Sequence, residues 1–495
     1  MKEEVSNIEK LTTTDIKKHA VKSVKWTALS EITSRSIQPI VTLILARLLT
    51  PADFGIVGIA MIAIGLAQIF QDFGLGKTLI QRETEVEKSA NVIFWINITL
   101  SVIIYFILFL TAPLISKFFN EPKVVDVLRV LCLQIVLLSL ISVHQALFQR
   151  NFQFKQLFFI RLLSTGVPGL VSIPLAMYGY GVWSLVAGTL TGTVVQVLLF
   201  WKASPWRPRL DFDFQLAKQL YSFGSWVTAE AFLGWLIMWG DSIVLGHFLG
   251  VKELGVYRVG VTFLMLVFGI FFNPILPVAY SAFSRLQTKP EELRQSFLKM
   301  TKLIASIALP LGVGLAVLSP FISSAIFGQK WYGIEKVIAI IGIMHAIAWL
   351  AGHNPEVYRA IGRPDVNTKL LIAVVIYYIP VYILAAPYGL LVFCIARLAI
   401  AIVGMGLHIF VANRLLNLPF TYLWEPIKVP LIGSLFLVIV IYPVINLMSS
   451  SNGLEVLAIR IGTIIVGVFI YVLILRVLDR ELVEQFLRLA KEGFR

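Results

Sequence analysis

The chain has 495 residues, of which 58% are hydrophobic and only 14% charged, well below the quarter or so of charged residues in an ordinary globular chain. That balance excludes a water-soluble fold and points to a polytopic membrane protein. The formal net charge of +14 comes with an uneven placement of Lys and Arg between loops, so it marks topology and attraction to anionic lipid heads, and nucleic-acid binding is not expected.

The opening stretch, MKEEVSNIEKLTTTDIKKHAVKS, is polar and has no signal-peptide core; residues 1–23 are expected to be a cytoplasmic segment. A membrane-crossing helix needs about 20 mostly apolar residues. Fourteen such runs follow, at about 24–49, 54–73, 89–113, 124–149, 156–178, 181–201, 217–246, 254–275, 296–318, 334–352, 366–386, 389–413, 427–447 and 455–477. The fold class is therefore an all-α polytopic membrane protein, because a β-barrel would alternate over about ten residues. Spans one to six (24–201) make an N-lobe, 202–216 a cytoplasmic linker, spans seven to twelve (217–413) a C-lobe, and 414–478 two extra spans. Prolines inside the runs, such as Pro39, Pro168, Pro174, Pro310 and Pro380, are tolerated where neighbouring helices satisfy the freed backbone groups. The tail at 479–495 places Leu482, Phe486, Leu489 and Ala490 on one face and is expected to lie along the cytoplasmic surface. Cys132 and Cys394, the two cysteines, sit in apolar runs and offer no disulfide framework.

With the N-terminus inside, 30 of the 42 basic residues fall in cytoplasmic segments, 7 in outer loops and 5 (Arg35, Arg47, Arg161, Arg258, Arg397) within spans. This is a strong positive-inside bias with both ends cytoplasmic.

The chain also repeats itself. LARLLTPADFGIVGIA at 45–60 aligns without a gap on LGHFLGVKELGVYRVG at 245–260, pairing Leu45 with Leu245, Asp53 with Glu253 and Gly55 with Gly255. Trp26 and Trp226 share that offset of 200. Tyr180–Gly181 and Tyr388–Gly389, with Arg161 and Lys369, match at an offset of 208. Six spans separate the copies, so both face the same way: a parallel repeat about an axis along the membrane normal, an architecture associated with alternating access.

Charges inside spans are the candidate functional groups. Each costs about 2.5–3.5 kcal/mol at the bilayer centre on insertion scales. Span one carries Glu31, Arg35, Gln38 and Thr42 on one helical stripe; Glu31 and Arg35 are four apart, in the favoured order for an ion pair. Span seven carries Glu230 and Asp241, span eight Arg258, and spans five and twelve Arg161 and Arg397. Two readings stay open for these groups: ion pairs that stabilise each lobe, or the lining of an aqueous path. The histidines (His144, His247, His345, His353, His408) lack metal-ligand spacing and read as packed or interfacial residues. GLGK at 74–77 is not a phosphate loop, since the rest of the motif is missing. Neither a metal site nor a catalytic residue is expected.

The segments QDFGLGKTLIQRE (71–83), HQALFQRNFQFKQL (144–157) and GYGVWSLVAG (179–188), with LTPADFG in the first turn, resemble the polysaccharide transporter branch of the multidrug/oligosaccharidyl-lipid/polysaccharide exporter superfamily, the Wzx-type flippases, over roughly residues 24–480. The resemblance implies movement of a lipid-linked oligosaccharide, usually on polyprenyl diphosphate, across the bacterial cytoplasmic membrane for surface polysaccharide synthesis. It further implies a cationic central cavity, H+ or Na+ coupling with no other cofactor, and contact with membrane lipids and with polymerase or export machinery. It supplies no universal catalytic motif and no enzyme activity. Arginine suits a diphosphate through its fork of donors, so Arg35, Arg161, Arg258 and Arg397, with Gln38, are the substrate-path candidates. Glu31, Asp72, Glu230 and Asp241 are the charge-balancing or ion-coupling candidates. Three alternatives stay open: an organic-cation exporter of the same superfamily, a polytopic polysaccharide polymerase or ligase, and an assembly protein without transport.

Overall fold

The computed structural model describes residues 37–484 except 73–74, 83, 420–423, 448–453, 481 and 483, and describes the backbone alone at 72, 77, 218–230, 445–447, 454–458 and 461. Among the described residues every regular element is helical and no strand occurs. In chain order they are α1 (Ile37–Leu48), α2 (Pro51–Asp72), α3 (Leu75–Gln81), α4 (Val86–Phe119), α5 (Val124–Leu131), α6 (Leu133–Arg150), α7 (Phe154–Met177), α8 (Val182–Ala203), α9 (Phe214–Phe272), α10 (Ile275–Leu286), α11 (Pro290–Ile322), α12 (Ile334–Trp349), α13 (Asn354–Ala360), α14 (Pro364–Ala385), α15 (Leu390–Leu416), α16 (Trp424–Leu447) and α17 (Leu454–Leu478).

Eleven stretches of the described residues are long and apolar enough to cross a membrane. One of them, Ala231–Phe272, runs through 42 residues and contains Gly250 at φ 83° and ψ −178°. That backbone is open to glycine and strained for other residues. It breaks α9 into two limbs, which are the seventh and eighth apolar runs of the sequence. Ile37–Leu48 and Gly462–Leu478 are shorter apolar helices at the margins of the described chain. Large apolar side chains face outward along the helices, among them Leu110 at 72% and Leu170 at 76% exposure. Such exposure suits a hydrocarbon surround and would be an aggregation liability in water.

Local chemistry sets the helix ends. At the start of α2 the Asp53 carboxylate accepts from the Thr50 N–H at 2.9 Å and the Thr50 hydroxyl at 2.6 Å. Pro51 follows at the first helical position, where its missing N–H costs nothing. The tyrosine–glycine turns of the repeat also have a physical reason. Gly181 (φ 53°) and Gly389 (φ 98°) each stand immediately before a helix, α8 and α15, with an exposed tyrosine beside them.

The chain divides into two compact units, Met1–Arg258 and Val259–Arg495. The division lies beyond the polar linker at 202–216, because the first limb of α9 and the start of the second both pack onto α2. In the first unit Gly55, Gly58 and Gly65 of α2 face Val251, Leu254 and Trp235 of α9, and the Trp235 indole donates to the Ile62 carbonyl at 3.3 Å. In the second unit α11 packs against α12 through Gly312, whose Cβ position lies 2.5 Å from Ala346. There the Tyr471 hydroxyl of α17 donates to the Ser306 carbonyl of α11 at 2.8 Å.

Candidate functional site

The repeated glycines meet each other's segments. A Cβ on Gly55 would stand 1.8 Å from the Val251 carbonyl oxygen, and a Cβ on Gly255 would stand 1.8 Å from the Pro51 carbonyl oxygen. Positions 51 and 251, like 55 and 255, are equivalent under the offset of 200. The contact is therefore reciprocal, backbone on backbone, and leaves no room for a side chain on either strip. The sequence repeat showed that these positions are equivalent; that they touch required the structure.

Further along α9, Asp241 is buried. Its carboxylate accepts from the Tyr257 hydroxyl at 2.6 Å and the Ser242 hydroxyl at 2.9 Å. Tyr257 belongs to the second limb, so this bond ties the two limbs together below the Gly250 kink. The Arg258 guanidinium lies over the Trp239 ring, 4.0 Å from its centroid, and Asp241 is the carboxylate acting on it electrostatically. Trp239 in turn lies 3.5 Å from the Cβ position of Gly65 on α2. A cation stacked on an aromatic face with a buried carboxylate nearby is a stable way to hold arginine at membrane depth. This assembly of Trp239, Asp241, Tyr257 and Arg258 is the candidate site. Trp239 and Tyr257 were missed in the sequence because neither carries a charge; a tryptophan and a tyrosine flanking charged positions was the available signal.

The other sequence candidates are more dispersed. Gln38 is exposed on α1, and its carbonyl accepts from the Thr42 hydroxyl at 2.9 Å. Arg161 on α7 and Arg397 on α15 are half-buried, and each has interaction partners. Glu31 and Arg35 lie outside the described residues, as do the side chains of Asp72 and Glu230. Among the described residues no group of three His, Cys, Asp or Glu side chains is placed to hold a metal ion. His144 is buried between the Trp201 and Trp206 rings at 5.2 and 5.3 Å.

The motif segments at 71–83 and 144–157 have a structural meaning. Arg150, at the end of α6, donates to the Ile80 carbonyl at 3.1 Å and also to the Arg82 carbonyl. Those are the open carbonyls at the end of the short helix α3, so one segment caps the other.

The family described as polysaccharide biosynthesis protein matches residues 44–336. The chain is 26% identical over 357 residues to the teichuronic acid biosynthesis protein TuaB of Bacillus subtilis (strain 168), covering 71% of this chain and 73% of that protein. It is 22% identical over 488 residues to the succinoglycan biosynthesis transport protein ExoT of Rhizobium meliloti (strain 1021), covering 97% of each. Its fold is similar to that of the lipid II flippase MurJ in an inward closed conformation, with TM-score 0.73, 15% identity, and coverage of 92% of this chain and 99% of that one. This chain, a multi-pass helical membrane protein, belongs to the polysaccharide biosynthesis protein family.

Proposed function

We propose that this protein moves a lipid-linked oligosaccharide, carried on a polyprenyl diphosphate, from the inner to the outer leaflet of the cytoplasmic membrane for surface polysaccharide synthesis. The observation that carries this reading is a near full-length match to a protein whose name describes transport in succinoglycan synthesis. The fold of a lipid flippase supports it. The reading includes fourteen spans in two six-span lobes with two extra spans, both termini cytoplasmic on the positive-inside bias, and transport rather than an enzyme reaction.

In this mechanism the chain alternates access to a path between equivalent spans, while arginines neutralise the diphosphate where water cannot. Arg258 is the principal candidate, with Arg35, Arg161, Arg397 and Gln38 on the same path. Stacking on Trp239 holds the guanidinium plane, whose fork of donors is the geometry that suits a phosphate. Asp241, engaged by Tyr257 and Ser242, offsets the charge when substrate is absent. Glu31, Asp72, Glu230 and Asp241 are the candidates for coupling to H+ or Na+. Polymerase or export machinery would take the delivered repeat unit.

The test is complementation of a bacterium lacking its own flippase for a defined glycan. The wild-type chain should restore surface polysaccharide and clear the lipid-linked repeat unit that accumulates inside. Accumulation that persists with normal membrane abundance of the protein sinks the proposal. In the same assay Arg35→Lys should reduce export and Arg35→Ala abolish it. Recovery in the double variant Glu31→Gln, Arg35→Gln would leave Arg35 as a structural partner of Glu31.

A further inference from the structure

In the second unit, the first half of α11, the first turn of α16 and the last turn of α17 line an open cavity of about 470 Å³. These helix ends share one membrane face, the cytoplasmic one on the orientation proposed above. Lys299 and Lys302, three apart on α11, line it with Lys428 of α16. Lys302 pairs with Asp479, and Lys428 with Glu425 at 2.6 Å. Lys299 makes no ion pair among the described residues. Among the described lining residues three ammoniums stand with two carboxylates, a surplus of one positive charge carried by the exposed Lys299. Each ammonium carries three donors, so those already engaged with a carboxylate keep donors to spare.

The walls are apolar, built by Leu298, Val429 and Leu478. Val429 belongs to an apolar cluster that continues along α16 and α17 through Leu437, Ile441, Tyr471 and Leu475. Beside the cavity Trp424 is exposed, as suits a residue at the level of lipid heads. Outward-facing Leu435 and Phe469 on the same two helices are also exposed and offer an apolar track for a lipid tail.

A cationic, apolar-walled cavity at the ends of two helices whose outer faces are apolar matches an amphiphile with an anionic head. We propose that this cavity binds the phosphate head of a membrane lipid, with the lipid tail lying on the outer faces of α16 and α17. Two lipids carry that chemistry: an anionic glycerophospholipid, and a polyprenyl diphosphate of the kind proposed as substrate carrier. The occupant separates the roles. A glycerophospholipid would anchor the two helices that lie outside the repeat; a polyprenyl diphosphate would make the cavity a holding place outside the Arg258 site.

The full-length protein, purified in detergent, is titrated with phosphatidylglycerol, phosphatidylcholine, a polyprenyl diphosphate and inorganic phosphate, and bound molecules are counted by native mass spectrometry. Wild type should retain phosphatidylglycerol or the polyprenyl diphosphate in preference to phosphatidylcholine, and the preferred one names the source. A basic residue near a membrane surface is worth about 1 kcal/mol, which is about fivefold in affinity. Lys299→Gln and Lys428→Gln should each weaken retention about fivefold and together about 25-fold. Asp479→Asn, which frees Lys302, should strengthen it, so the proposal predicts changes of both signs. Undiminished retention in the double lysine variant overturns it, as does retention of inorganic phosphate as tight as that of the lipids. Binding is read without transport, so this site can fail while the flippase reading stands, and the reverse.

Discussion

Gly55 and Gly58 lie three residues apart on α2, yet alanine should act on them in opposite ways. At Gly58 the nearest atom to an added Cβ is a Leu254 methyl at 3.9 Å, an ordinary contact. Gly58→Ala should therefore be tolerated and gain up to about 1 kcal/mol of helix propensity. At Gly55 the Cβ would enter the Val251 carbonyl, and backbone cannot step aside as a side-chain tip can. Gly55→Ala should lower the detergent melting midpoint and membrane abundance, and Gly255→Ala should do the same by the reciprocal clash. Equal melting of Gly55→Ala and Gly58→Ala would show that the packed strips are not part of the stable state. At the candidate site, Tyr257→Phe removes one of the donors that Asp241 accepts from, a loss of about 1–3 kcal/mol where the group is buried. The melting midpoint of that variant should fall. Arg258→Lys keeps the charge but loses the flat face on Trp239, so export should drop while stability changes by only about 1 kcal/mol. Unchanged export in Arg258→Lys would remove this arginine's planar fork from the transport path.

At the scale of elements, the linker after α8 is pinned to the start of α4. The Trp95 indole donates to the Arg209 carbonyl at 2.8 Å, the Arg209 N–H donates to the Asn91 side chain at 3.0 Å, and Lys88 pairs with Asp213 at 2.8 Å. Asp213 also accepts from the N–H groups of Gln215 and Leu216 at the start of α9. The bond from Lys88, helped by those backbone donors, holds the Asp213 carboxyl below the usual carboxylate range. A carboxyl depressed on folding stabilises above its unfolded pKa of about 4 and loses that contribution as pH falls through the lower folded value. Hydrogen exchange at 209–216, corrected for intrinsic rates, should therefore quicken between pH 5 and pH 2, and Lys88→Gln should flatten that dependence. Arg150 is the corresponding pin for α3, its Nη1 alone meeting the Ile80 and Arg82 carbonyls; Arg150→Ala should expose 75–82 to exchange, and Arg150→Lys, which also gathers its donors on one nitrogen but on a different stem, should restore part of the protection. These elements mark where sequence reading stops. Long apolar runs are legible because lipid imposes both length and composition on them. The helices α3, α10 and α13 are too short to show that signal, and each exists through tertiary contacts such as the Arg150 cap. The bond between Asp241 and Tyr257 was equally hidden, since it depends on the Gly250 kink turning residues 16 positions apart toward each other. What the sequence did expose was charge, and it pointed to Asp241 and Arg258 separately before the structure joined them.

For the whole molecule, the internal repeat makes a prediction about assembly. Residues 1–208 and 209–495 expressed as separate chains should restore surface polysaccharide when co-expressed in a flippase-deficient strain, and Gly55→Ala in one half should abolish the rescue. Rescue unaffected by that substitution would show that the glycine strips do not join the halves. The reciprocal contact of Gly55 with Val251 and Gly255 with Pro51 has the form of an isologous interface, in which residue i of one copy meets j of the other and j meets i. Such an interface arises naturally between two identical subunits. Within one chain the same geometry sets two equivalent strips backbone to backbone, so each glycine keeps the space that its counterpart's segment occupies. Between identical subunits one mutation would strike both sides of such a contact together; here each glycine is written separately in the sequence, and both positions hold glycine.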